Sequence, residues 1–101
     1  MVDCTFLEPA ETELDEAIAY YDAQRQGLGG EFLVEVLLTL ERIKAYPSAW
    51  PKLSYRTRRC RTRRFPYGVV YRANQDEIIV VAISHLHRQP FYWVERIKSL
   101  S

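Results

Sequence analysis

The chain has 101 residues, 48% of them apolar and 27% charged, with 14 Lys and Arg against 13 Asp and Glu. These values exclude a disordered or collagen-like chain, and no apolar run approaches the ~18 residues of a membrane-spanning helix. About 100 residues suit a single domain, residues 1–101, able to bury roughly 65% of its unfolded surface.

The start of the chain, Met1-Val2-Asp3-Cys4-Thr5, has no basic stretch followed by an apolar one. No secretory signal is therefore expected, and the cytoplasm is the expected compartment. Cys4 and Cys60 fit neither a metal nor a redox spacing and read as reduced thiols.

Val2–Leu7 is short, apolar-rich and bounded by Glu8-Pro9, which predicts a strand. Pro9 suits the first turn of a helix. Glu11, Glu13, Asp15 and Glu16 crowd the early turns, where the positive end of the helix dipole favours them. Ala10, Leu14, Ala17, Ile18 and Tyr21 share one helical face, and Gly27 with the Gly29-Gly30 pair is expected to stop this helix. A second helix is predicted over 31–45. Phe32, Val36, Leu40 and Ile43 form its stripe, and Leu33, Leu37 and Leu38 widen it. So broad an apolar arc is either buried on more than one side or waits for a partner. The short connection makes the two helices an antiparallel hairpin, and Tyr46-Pro47 closes it.

After a loop over 47–54 the period changes from 3.6 to 2. Arg56 and Arg58 fall on one face of the next strand, and Arg59, Arg61 and Arg63 on the other. Phe65, Tyr67, Val69 and Tyr71 alternate along a third strand, with Pro66 tolerable only at its start. A hairpin turn is predicted over 73–76, and the unbroken apolar run 78–83 predicts a central strand covered on both faces. His85-Leu86-His87-Arg88-Gln89 leaves the sheet. Pro90 opens a short helix expected to turn Phe91, Val94 and Ile97 inward. The expected fold is α+β in the order β-α-α-β-β-β-α. A helical hairpin packs on a small, twisted, mainly antiparallel four-stranded sheet whose opposite face is basic.

The small net charge conceals two unlike halves. Residues 1–43 hold ten acidic and two basic side chains, a net of −8; residues 44–101 hold twelve basic and three acidic ones, a net of +9. Six of the ten residues from Tyr55 to Arg64 are arginine. Such a split points to a polyanionic or acidic partner on the basic side, unless the halves neutralise each other across the fold. A helix-turn-helix DNA reader is disfavoured, because both helices lie in the acidic half and would repel phosphates.

Arg64-Phe65-Pro66-Tyr67-Gly68-Val69-Val70-Tyr71-Arg72, the run from Ile78 to His85, then His87-Arg88-Gln89-Pro90 and Tyr92-Trp93 together resemble the RelE/ParE superfamily, the toxins of type II toxin–antitoxin pairs. The acidic first helix ending in Tyr20-Tyr21 and the element order also resemble that family, over nearly the whole chain. The resemblance implies a growth-inhibiting toxin neutralised by a cognate antitoxin, with no cofactor. ParE-like members inhibit DNA gyrase without a catalytic residue, whereas RelE-like members cut mRNA in the ribosomal A site.

Metal-free RNA cleavage needs a base for the 2′-OH, cations for the phosphate and an acid for the leaving oxygen. His87, Arg61, Arg88 and Tyr92 are the catalytic candidates for that branch. Arg56, Arg58, Arg59, Arg63, Arg64 and His85 are candidates for holding nucleic acid or another target. Arg88 and Tyr92 match nuclease positions. The arginine that the resemblance places after Tyr67 is here Gly68, and arginines replace the expected lysines and make poor bases. The comparison therefore leans to ParE-like inhibition, with RNA cleavage and a non-toxic basic RNA-binding domain as alternatives. The plain structural alternatives are a His85 that bonds backbone, Trp50 and Trp93 as core plugs, and no metal site, since the two histidines lack a third ligand.

Overall fold

Strand β1 spans Asp3–Phe6, and its side chains alternate between exposed and half-buried. Leu7 turns the chain into helix α1, Glu8–Gln24, with Pro9 in the first turn beside the acidic Glu8 and Glu11. The computed structural model describes residues 2–98 and 100.

Ala10, Ala17 and Tyr21 face the core from α1. The helix stops earlier than its glycines suggest. Gly27 adopts φ 89° as the N-cap of helix α2, Leu28–Ala45, so Gly29 and Gly30 lie inside α2 and do not terminate α1. Gly29 serves close packing. Its N–H donates to Asp22 Oδ1 at 2.7 Å, and a Cβ there would collide with the Ile18 carbonyl oxygen. Phe32, Val36 and Ile43 on α2 are fully buried, each burial contributing on the order of 1.5–3 kcal/mol.

The remaining strands are β2 (Arg58–Arg61), β3 (Tyr67–Ala73) and β4 (Glu77–His85), and α3 is the short helix Val94–Lys98. The sheet order is β1-β4-β3-β2. β1 runs parallel to β4, and the β2-β3-β4 meander is antiparallel. Tyr21, Phe32, Phe65 and Tyr67 pack ring against ring between hairpin and sheet, with centroids 4.9–6.1 Å apart. Glu35 on α2 is buried, and its Oε1 accepts the backbone N–H groups of Arg63 and Arg64 at 2.6 and 2.9 Å. That carboxylate pins the β2–β3 turn to the helix.

The opposite face of the sheet is not the open basic surface expected. Val70, Val81, Ala82 and Trp93 form a second core there, with Leu53, Tyr92, Val94 and Ile97 packed on it. The register shifts between Val70 and Tyr71, which face Ala82 and Val80, and leaves Val81 unmatched. This bulge adds Val81 to that core under the C-terminal segment. Only Arg59 and Arg61 of β2 lie on this side. Arg58 pairs with Tyr71 and so shares the helix side. The arginine-rich strand is also shorter than its alternation suggests, because Arg56, Arg63 and Arg64 lie outside it. Phe91 likewise differs from expectation. It is half-exposed at φ 63°, and Trp93 is the aromatic residue that goes inward.

Candidate target-binding surfaces

Glu13 organises the C-terminal candidates. Its side chain is only 10% exposed, and Arg96, 18% exposed, grips it with a fork at 2.8 and 3.0 Å. The Tyr92 hydroxyl donates to Oε2 at 2.6 Å, the Ile83 N–H donates to Oε1 at 3.1 Å, and Arg88 donates at 3.3 Å. The Arg88 guanidinium also lies 3.7 Å from the Tyr92 ring centroid. Burial, and then the bond to Glu13, push the Tyr92 pKa up to about 12. Two of the nuclease candidates, Arg88 and Tyr92, are thus brought together, but on an internal carboxylate.

The other two candidates stand elsewhere. Arg61 pairs with Gly68, which pairs in turn with Ser84 on β4, so two strand spacings, roughly 10 Å, separate the Arg61 backbone from that of Ser84. His87 is exposed beyond the end of β4. Its N–H donates to His85 Nδ1 at 3.1 Å, and the two rings lie 5.2 Å apart. His85 therefore takes part in a backbone hydrogen bond, its plain structural role.

Arg59 crosses the sheet over Gly68. A Cβ at Gly68 would sit 2.7 Å from Arg59 Cδ, so the missing side chain is what lets the arginine lie flat. Burial and the neighbouring Arg61 lower the Arg59 pKa. Arg59, Arg61 and Arg63 line a hollow of ≈ 590 Å³ with Arg42, Trp50 and Pro51. Among the described residues none of those three arginines forms an ion pair. Arg64 is different: it bonds Glu31 at 2.8 Å, and with Arg25 it lowers the Glu31 pKa. Arg58 donates to the Trp50 carbonyl at 2.8 Å, and Arg56 lies 5.7 Å from the Tyr55 ring.

The broad arc of α2 divides between core and surface. Phe32, Val36, Leu40 and Ile43 are buried, while Val34, Leu37 and Leu38 stand 54%, 50% and 51% exposed. Leu38 continues into a groove of ≈ 480 Å³ with Ala45, Tyr46 and Trp50, and that groove shares Arg42, Trp50 and Arg63 with the arginine hollow. Cys4 is half-buried and Cys60 buried, both free. Among the described residues no helix is long and apolar enough to cross a membrane.

Glu13 and Arg96 escaped the sequence reading. Glu13 was indistinguishable from its acidic neighbours at the start of α1. Arg88 and Tyr92 lie in the bend and turn that precede α3, so no helical spacing links them to Arg96.

A family model described as the ParE toxin of type II toxin–antitoxin system, parDE, matches residues 5–90. Among solved structures, a chain described as the chromosomal ParDE TA system from P. aeruginosa superposes with a TM-score of 0.68 at 16% identity, covering 86% of this chain and 98% of that one. A search of curated proteins finds no match.

Proposed function

Because the chain belongs to the ParE toxin family of type II toxin–antitoxin systems, we propose that it arrests growth as a ParE-like inhibitor of DNA gyrase and is neutralised in the cytoplasm by a cognate antitoxin. The observation that carries inhibition over RNA cleavage is the capture of Arg88 and Tyr92 by Glu13. A nuclease needs that cation for phosphate and that hydroxyl for proton transfer. Here an internal carboxylate already holds the Tyr92 hydroxyl and contacts the half-exposed Arg88, and raising the pKa of Tyr92 to about 12 makes its hydroxyl a poorer acid near neutrality. Arg61 on β2 and His87 beyond the end of β4 lie outside that cluster.

The antitoxin is assigned to the α2 face. Val34, Leu37 and Leu38 offer an apolar strip, continued by the groove beside Arg42 and Arg63. An amphipathic segment with apolar anchors and acidic side chains complements both parts.

Induced expression of the chain in bacteria is expected to stop growth, and co-expression of the antitoxin to restore it. In vitro the purified toxin is expected to inhibit gyrase supercoiling while leaving ribosome-bound mRNA intact. A-site cleavage with normal supercoiling, lost on His87→Ala or Arg61→Ala, would replace this mechanism with the nuclease one. A folded, non-toxic product would overturn the toxin assignment itself.

A further inference from the structure

A second cationic site shares no lining residue with the α2 groove. Lys52, Arg56, Arg58 and Arg72 line one open cleft of ≈ 530 Å³ with Tyr55 and Asn74. They arrive from separate segments: Lys52 from the loop after α2, Arg56 and Arg58 from the approach to β2 and its first residue, and Arg72 from β3. Among the described residues no carboxylate lines the cleft. Among the described residues none of the four cations forms an ion pair, whereas Arg25, Arg64, Arg88 and Arg96 each bond a glutamate. Arg58 also donates to the Trp50 carbonyl, but four like charges around one hollow with no carboxylate partner repel one another, and an anion relieves the repulsion.

The frame of the cleft is held in place before any ligand arrives. The backbone of Lys52 bridges that of Arg58, the N–H groups of Leu53 and Ser54 both donate to the Thr57 carbonyl, and Thr57 is fully buried. Tyr55 projects from this tight loop with 87% of its surface exposed. The Arg56 guanidinium lies over one side of this ring, 5.7 Å from its centroid, and so large an exposed ring still offers a surface for stacking.

We propose that this cleft binds single-stranded nucleic acid, with phosphates on Lys52, Arg56, Arg58 and Arg72, a base stacked on Tyr55, and the Asn74 amide at a base edge. Its volume falls within the ~300–1,000 Å³ of ordinary ligand sites. Guanidinium forks match phosphate oxygens in pairs. An acidic protein segment fits less well, because among the described residues Pro47 and Ala73 are the only fully apolar side chains lining the cleft, and protein partners draw affinity from buried apolar anchors.

The test is a fluorescence anisotropy titration of the 101-residue chain against labelled twelve-nucleotide oligothymidylate and oligouridylate, at salt from about 50 to 200 mM. Binding is expected, with log affinity falling by roughly 0.7 per neutralised phosphate per log unit of salt, or up to about 2.8 for four. Arg72→Gln should weaken binding and lower that slope by roughly 0.7, and Arg72→Lys should restore the slope. Tyr55→Ala should weaken binding about 5- to 150-fold with the slope unchanged, and Tyr55→Phe should not. Tyr55 is too exposed for either change to unfold the chain. Arg25→Gln, which alters a paired arginine outside the cleft, should have no effect.

No binding at the lowest salt overturns the proposal, as does equal weakening by Arg72→Gln and Arg25→Gln. A twelve-residue polyglutamate bound more tightly than either oligonucleotide, and indifferent to Tyr55→Ala, would assign the cleft to an acidic protein instead. Oligonucleotide binding by a chain that does not arrest growth would leave this proposal standing and remove the toxin assignment; growth arrest without binding would do the reverse.

Discussion

Glu13→Gln is the most informative single change, because it keeps the shape of the side chain and removes its charge. The native carboxylate accepts the Arg96 fork, the Tyr92 hydroxyl, the Ile83 N–H and a contact from Arg88. An amide offers one oxygen where there were two and turns a donor toward cationic neighbours. Arg96, with 18% of its side chain exposed, would be left as a largely buried charge without its carboxylate. Removing one partner of a buried pair typically costs about 3–5 kcal/mol. The Arg88 contact adds little, because 52% of that side chain is exposed and exposed pairs contribute about 0–1 kcal/mol.

A loss of about 3 kcal/mol is therefore expected, a large part of the ~5–15 kcal/mol that holds a domain folded. It should lower Tm by roughly 12–24 °C, at ~4–8 °C per kcal/mol. Urea unfolding followed by tryptophan fluorescence reads the change directly, since Trp93 lies in the core that the C-terminal segment covers. Arg88→Ala should cost less than about 1 kcal/mol. In a double-mutant cycle, Glu13→Gln and Arg96→Met should couple by more than about 1 kcal/mol. If Glu13→Gln costs less than about 1 kcal/mol, the carboxylate is not the clasp that fastens the C-terminal segment to α1, and the argument against a nuclease site weakens with it.

Adjacent glycines in α2 should respond oppositely. Gly29→Ala drives a Cβ into the Ile18 carbonyl oxygen, which cannot rotate away, at about 1–3 kcal/mol. Gly30→Ala meets nothing within 4 Å and should gain up to about 1 kcal/mol from helix propensity; thermal melts separate the two.

Burial holds the Tyr71 pKa at about 12, and burial with the Glu13 bond holds Tyr92 at about 12, against 10 ordinarily. Both keep protons that the unfolded chain releases, so the contribution of these two tyrosines is complete below about pH 10 and is lost as pH rises from about 10 to 12. The fully buried Tyr71 contributes a slope of up to about 1.4 kcal/mol per unit. Urea midpoints across that range should fall less steeply for Tyr71→Phe than for the native chain.

Leu37→Glu and Leu38→Glu alter half-exposed side chains and should leave the unfolding free energy within about 0.5 kcal/mol of native, while sharply weakening the antitoxin complex in calorimetry. Unchanged antitoxin affinity would move that interface elsewhere.

Local physics made the element order, the helical hairpin and the central β4 legible in the sequence. A 3.6-residue period, a 2-residue period and an unbroken apolar run each allow one answer, and the motifs from Arg64 to Trp93 carried the family. Distances between segments far apart in the chain carry no local signal. Alternation placed the arginines on two faces of a strand, but the bulge at Val70, the burial of Trp93 and the shortness of β2 decided which of them meet solvent. Glu13 and Glu16 are interchangeable as helix-dipole residues. Only packing puts one of them under Arg96 and Tyr92 and leaves the other exposed. The order of residues determined that a strong positive charge would be present in the second half of the chain. The tertiary structure decided which cations were answered by glutamates and which remained to face a partner, because charges pair by distance in space and not by position along the chain.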